Sequence, residues 1–240
     1  MAGTPIAIEK LDVWYEDARG DAHRVVHALS VAIEPGERVA LLGRNGAGKT
    51  SLLLALVGAV PFSGSVTIGG QALARHTLET VRRGIGFVFA DPRDQLFCAT
   101  VHEEVAYGPR LRDLAPSEVE QRVARALAAV NLTGFESRPP GALSLGEKRR
   151  LAIATVLSYE AALVIVDEPT ASLDPLARHS VLEAIAGLDA TVVFATHDLD
   201  AARELGARTL VFDAGRLLAD GPAAQILSDL DLLRRAGLAL

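Results

Sequence analysis

Short apolar, β-branched runs alternate with helical patterns along most of the chain. The runs Arg38–Leu42, Ile85–Phe89, Leu163–Val166, Thr191–Ala195 and Thr209–Phe212 are almost continuously apolar, as strands buried on both faces of a mostly parallel sheet are. The N-terminal part reads differently. Ile6-Ala7-Ile8, Val25-Val26, Val31-Ala32-Ile33 and the glycine-bounded Ser65-Val66-Thr67-Ile68 predict short antiparallel strands, a small β layer leaning on the main sheet. From Asp91 to about Leu157 the period turns helical, with Val119, Val123, Leu127 and Val130 on one face of a segment that starts near Pro116-Ser117. Asp174-Pro175 predicts an N-cap followed by proline in the first turn, and Gly187 a stop. The leucine-rich run from Ile226 to Leu240, with Asp229, Asp231, Arg234 and Arg235, has a helical pattern and reads as packing rather than as insertion into a membrane.

Composition narrows the classes. The 240 residues suffice for one substantial core. Charged residues interrupt the apolar runs before any reaches the roughly 20 residues that a bilayer-spanning helix needs. The start, Met1-Ala2-Gly3-Thr4-Pro5, lacks the basic and apolar segments of a secretory signal, so the default address is the cytoplasm. A net charge of -6 without a basic tract gives no support for nucleic-acid binding. The single cysteine, Cys98, excludes an internal disulfide or cysteine metal cluster and reads as a small buried hydrophobe.

The strongest chemical signal is GRNGAGKT, made of Gly43, Arg44, Asn45, Gly46, Ala47, Gly48, Lys49 and Thr50, set between an apolar strand and the helix-forming run that opens at Ser51. Glycines let backbone N–H groups converge on phosphate oxygens and the helix N-terminus adds partial positive charge. Lys49 then reaches the terminal phosphates and Thr50 offers a hydroxyl to Mg²⁺. Further along, Leu163–Val166 delivers Asp167 and Glu168 at the C-terminal end of a buried strand, where α/β sheets place their ligands. Asp167 suits Mg²⁺ through its water shell, and Glu168 suits the orienting and deprotonation of an attacking water. The fold class is therefore α/β: a P-loop NTPase core with a mostly parallel sheet, a small N-terminal antiparallel β subdomain and an inserted helical subdomain.

Three motifs follow the loop in order: Leu143-Ser144-Leu145-Gly146-Glu147 ahead of a helix, Asp167-Glu168 continued by Pro169-Thr170-Ala171-Ser172-Leu173-Asp174-Pro175, and Thr196-His197-Asp198. With them the chain resembles the ATP-binding subunits of ABC transporters, from near its start to about Pro222. The resemblance implies one ABC-type ATPase domain over 1–240. Its antiparallel layer would take 1–36 and 62–72, its nucleotide-binding core 37–61, 73–90 and 158–225, its helical subdomain 91–157 and its C-terminal helix 226–240. It implies ATP and Mg²⁺ as ligands, a second ATPase subunit, the same or related, and an integral membrane transporter subunit at the cytoplasmic face of the cell membrane. Ser144 and Gly146 of one subunit would contact the γ-phosphate held by Lys49 of the other, His197 would hydrogen-bond that phosphate, and Ser172 and Asp174 would cross the dimer interface. Asp174 also reads as a plain helix cap. Tyr15 takes the place of the aromatic that stacks on adenine, with Trp14 as the other candidate.

Asp94-Gln95-Leu96-Phe97 and the run from Thr100 to Pro109 are similar to the energy-coupling-factor branch of importers, whose cargoes are cobalt, nickel and vitamins. A soluble ABC-type ATPase acting on nucleic acid or ribosomes is the alternative, disfavoured because the chain has neither a long coiled-coil insertion nor a second cassette. The chain also departs from the family pattern. Ala90 stands where most relatives have glutamine, which predicts slower hydrolysis or coupling unless Gln95 moves in. Leu145 and Glu147 replace glycine and glutamine in the signature, changes expected to be tolerated. Lys148, Arg149 and Arg150 read equally as a solvated face or as a contact to a partner.

Overall fold

The computed structural model describes residues 3–17 and 19–239. Met1 and Ala2 of the start read above, and Leu240 of the C-terminal run, lie outside them. In chain order, β1 (Ile6–Glu16) and β2 (Ala22–Ile33) form a long antiparallel hairpin and β3 (Arg38–Leu42) leads to helix α1 (Lys49–Leu56). Strands β4 (Phe62–Ile68) and β5 (Gln71–Ala72), helix α2 (Leu78–Arg82) and β6 (Ile85–Val88) follow. Helices α3 (Val101–Arg110), α4 (Pro116–Ala129) and α5 (Leu145–Tyr159) come next. The chain then alternates through β7 (Leu163–Asp167), α6 (Pro175–Ala186), β8 (Thr191–Thr196), α7 (Leu199–Glu204), β9 (Arg208–Asp213) and β10 (Arg216–Pro222), and closes with α8 (Ala223–Ile226) and α9 (Leu230–Arg235).

Two sheets result, one antiparallel in the order β2-β1-β4-β5 and one in the order β10-β9-β3-β8-β7-β6. The second is parallel throughout except for β9–β10. It is buried on both faces, which is why its strands are apolar at consecutive positions. Val39, Leu41, Leu163, Ile165, Val193 and Ala195 face one core together with α1 and the antiparallel sheet. Ala40, Leu42, Val164, Val166, Val192 and Phe194 face the other, with helices α3 to α7.

Three expectations need correction. The N-terminal strands are not short. β1 changes register against β2 between Ile8 and Leu11, and Lys10 adopts a left-handed conformation (φ 50°). The bulge moves the buried positions from Ile6 and Ile8 to Leu11 and Val13, so one strand looks in the sequence like interrupted fragments. The C-terminal run is not one helix: Asp229 caps α9 by accepting a hydrogen bond from the Leu232 amide (2.9 Å), separating it from α8, and Ile226, Leu232 and Ala236 pack on Val211. Cys98 is only half-buried. The helical reading of α4 is met, with Val119, Val123, Leu127 and Val130 all buried. Among the described residues no helix is long and apolar enough to cross a membrane.

Candidate functional site

The loop of residues 43–50 leaves β3 and enters α1. Its backbone passes through left-handed conformations at Gly46 (φ 81°) and Gly48 (φ 98°), which glycine adopts without steric penalty. A Cβ at Gly48 would stand 2.5 Å from the Val25 carbonyl oxygen, so the loop lies hard against β2. The Gly215 amide donates to the Ala47 carbonyl (3.0 Å) and the His27 amide to the Gly215 carbonyl (2.9 Å), which tethers the loop to both sheets. Gly43 and Ala47 are buried, while Arg44, Asn45 and Gly46 face outward.

Lys49 is 6% exposed and curls into the loop, Nζ donating to the carbonyls of Gly43 (2.6 Å) and Arg44 (3.2 Å). Burial lowers its pKa, against the pull of Glu168 and Asp167. A buried ammonium surrounded by loop amides at a helix N-terminus is an anion site suited to phosphate. Thr50 Oγ1 donates to Asp167 Oδ2 (2.7 Å) at the end of β7. Burial raises the Asp167 carboxyl above its usual range, the Thr50 hydrogen bond opposing this. Asp167 Oδ1 is buried and has no hydrogen-bond partner among the described residues. An acceptor oxygen without a donor, next to a threonine hydroxyl and a phosphate cradle, fits a hard divalent cation with its water shell.

Glu168 turns away from its neighbour because its backbone is left-handed (φ 49°). Its carboxylate meets His197 Nδ1 (3.0 Å) and accepts from Thr196 Oγ1 (3.4 Å), and Oε1 lies 3.8 Å from Lys49 Nζ. His197 is 57% exposed, so its ring sits at the mouth of the cleft. Tyr15 is exposed and its hydroxyl donates to Ser51 Oγ (3.2 Å) in the first turn of α1, whereas Trp14 is half-buried. Tyr15 is therefore the aromatic beside the loop.

The other predicted residues lie apart from this cluster. Ser144 is the N-cap of α5 in a reciprocal capping box: its amide donates to Glu147 Oε2 (2.7 Å) and its hydroxyl accepts from the Glu147 amide (3.3 Å). Among the described residues no hydrogen bond or ion pair joins Ser144 or Gly146 to Lys49, Asp167, Glu168 or His197. Ser172 is exposed and left-handed (φ 60°), and Asp174 caps α6 by accepting from the Ala177 amide (2.9 Å).

Sequence reasoning missed several polar residues around the site. Arg149 is buried and donates to the carbonyls of Glu168 (2.7 Å) and Ala90 (2.6 Å), while Arg150 donates to those of Val130 (3.0 Å) and Asn131 (3.1 Å). Both arginines thus bind their own chain, which corrects the reading of these two as part of a solvated or partner-facing stretch. The signal was available, since Arg149, Ala152, Ile153 and Val156 form one buried helical stripe. Asp198 joins the neighbouring loops by accepting from Thr170 Oγ1 (3.0 Å) and Arg178 Nε (3.0 Å). Gln95 does not replace the missing glutamine. It accepts from the Phe89 amide (3.3 Å) and donates to Ala152 O (3.2 Å) and Thr155 Oγ1 (2.9 Å), bonds that hold it against α5.

This cluster can be set beside known proteins. The family model described as ABC transporter matches residues 26–171. The chain belongs to the ABC transporter ATP-binding family. It is 44% identical over 235 residues to a putative ABC transporter ATP-binding protein of Streptomyces coelicolor, covering 97% of this chain and 90% of the relative. It is 39% identical over 226 residues to an energy-coupling factor transporter ATP-binding protein of Methanothermobacter thermautotrophicus, covering 92% and 73%. Among solved structures, cbiO1 of Clostridium perfringens, described as part of the ABC transporter complex cbiONQ, superposes with a TM-score of 0.80 at 30% identity, covering 98% of this chain and 95% of that one. A bacterial ABC transporter cassette solved as a dimer gives 0.82 at 25% identity, covering 91% and 98%. The protein is thus an ABC-type ATPase, binds ATP, and acts as the ATP-binding subunit of a transporter.

Proposed function

We propose that this ATPase subunit drives an importer of the energy-coupling-factor type by Mg²⁺-dependent ATP hydrolysis between two cassettes. The observation that carries the reading is the convergence of Lys49, Thr50, Asp167, Glu168 and His197 at the C-terminal ends of β3, β7 and β8. Loop amides and Lys49 hold the β- and γ-phosphates. Thr50 and Asp167 would hold Mg²⁺, which would neutralise phosphate charge. Glu168 accepts a proton from the attacking water, whose oxygen bonds to the γ-phosphorus as the bond to ADP breaks, giving ADP and inorganic phosphate. His197 orients Glu168 and meets the γ-phosphate, and Tyr15 stacks on adenine.

Ser144 bonds within its own capping box rather than to this cluster, which supports the use of Ser144 and Gly146 in a second cassette, the same chain or a related one. There the N-terminus of α5 faces the partner's γ-phosphate, and Ser172 and Asp174 lie along the shared interface. The membrane subunit docks on 91–157, part of a single ATPase domain over 1–240. Phe97 (68% exposed) and Tyr107 (45% exposed) stand edge to face with centroids 4.9 Å apart, beside Leu111, an apolar surface suited to a helix of an integral membrane protein. On this reading the chain works at the cytoplasmic face of the membrane. The cargo is a cobalt or nickel ion or a vitamin, a reading supported by likeness to relatives named for energy-coupling factor and cbiONQ.

The test is Glu168→Gln in the purified full chain. The variant should bind Mg-ATP normally, hydrolyse it about a hundredfold or more slowly, and accumulate as an ATP-bound dimer on size exclusion. Full turnover would remove Glu168 from the role of base.

A further inference from the structure

Arg149 has no part in the chemistry just described, yet it is 7% exposed and spans the two strand ends nearest to it. Strands β6 and β7 are paired up to Val88 and Val166, so Ala90 and Glu168 both lie two residues beyond the last pair. Their carbonyls have left the sheet, and the planar guanidinium bridges them, NH1 to Glu168 O at 2.7 Å and NH2 to Ala90 O at 2.6 Å. A single fork with two donors in fixed geometry is what arginine supplies and lysine does not. Burying a cation is unfavourable unless its donors are used; both terminal nitrogens end on backbone, while Nε is buried with no hydrogen-bond partner among the described residues.

The residue held this way has a strained backbone. Glu168 has φ 49°, a region that a residue with a side chain occupies only when its surroundings impose it. Its amide is fixed by donation to Ala195 O (2.8 Å) and its carbonyl by Arg149. With both flanking peptide planes held, the Cα–Cβ bond of Glu168 has one direction, and that direction brings the carboxylate to His197 and Lys49.

We propose that Arg149 is a positioning residue for hydrolysis: by clamping the carbonyls of Glu168 and Ala90 it locks the backbone that aims the Glu168 carboxylate. The proposal rests on the reading of Glu168 as the base. It also gives α5 a second role. Ser144 caps the N-terminus of the same helix, so an event at that cap reaches Glu168 through little more than one helical turn and one side chain.

The test compares the full chain with Arg149→Lys and Arg149→Met, measuring kcat and KM for Mg-ATP, the Kd of a fluorescent ATP analogue, and thermal melting. Lysine keeps the charge but reaches only one carbonyl. It should fold, hold KM and Kd within about threefold, and lower kcat about tenfold, while methionine should lower kcat about a hundredfold, the size of effect expected when a reacting group shifts by about an ångström. Turnover within about twofold of the wild type in either folded variant, or a loss carried by KM with kcat intact, would overturn the proposal. So would failure of both variants to fold, which would make Arg149 a stability residue. Glu168→Gln, run alongside, separates the two readings: full turnover there refutes the base assignment itself, whereas an inactive Glu168→Gln beside fully active Arg149 variants refutes only the clamp.

Discussion

Asp167 and Glu168 are adjacent, yet their carboxylates meet different partners because one backbone angle separates them. Asp167 keeps strand geometry and stays buried against Thr50, whereas the left-handed Glu168 swings its carboxylate towards His197. Single side chains of this kind are where the nucleotide site can be tested. Tyr15→Ala removes the exposed ring beside Ser51 and should weaken ATP binding by about 1–2 kcal/mol in calorimetric titration, with little change in the affinity for inorganic phosphate. Ala90 presents a methyl group, and Gln95 is held against Ala152 and Thr155, so Gln95 does not stand in for a glutamine at 90. Ala90→Gln should therefore raise the steady-state ATPase rate, and an unchanged rate would mean that the methyl group is no handicap.

At the scale of elements, the caps decide where the functional loops begin. The helices α5 and α6 start at Ser144 and Asp174, and each cap satisfies a backbone N–H that would otherwise lack a partner. Asp174→Ala should lower stability by about 1 kcal/mol, read as a fall in melting temperature. Asp174→Asn caps equally well and should melt like the wild type. Lower turnover in that asparagine variant would show that the carboxylate is used beyond its own helix. The Asp174 cap was legible from the sequence because capping depends on residue type and position over three or four residues. Strand lengths in the N-terminal layer were not, because the bulge at Lys10 shifts the alternation and its cause is the pairing of β1 with β2 and β4.

For the whole molecule, the two cores on opposite faces of the β10-β9-β3-β8-β7-β6 sheet set the nucleotide loops at one end and the aromatic surface of Phe97 and Tyr107 on the helical part. Phe97→Glu should abolish co-purification of the membrane subunit from detergent extracts while leaving the ATPase rate of the isolated chain unchanged; retained co-purification would move the docking surface elsewhere. The sequence by itself determined the strand-loop-helix cradle, the acidic strand end, the parallel character of the main sheet and the family, because each depends on residue type and on spacing over a short stretch of chain. Tertiary structure decided the rest. It showed that Arg149 clamps Ala90 and Glu168, that Gln95 is occupied elsewhere, and that Asp198 joins Thr170 to Arg178. Those partners stand 19 to 59 residues apart, and a buried donor finds its acceptor only once strands distant in sequence have paired and brought their ends together.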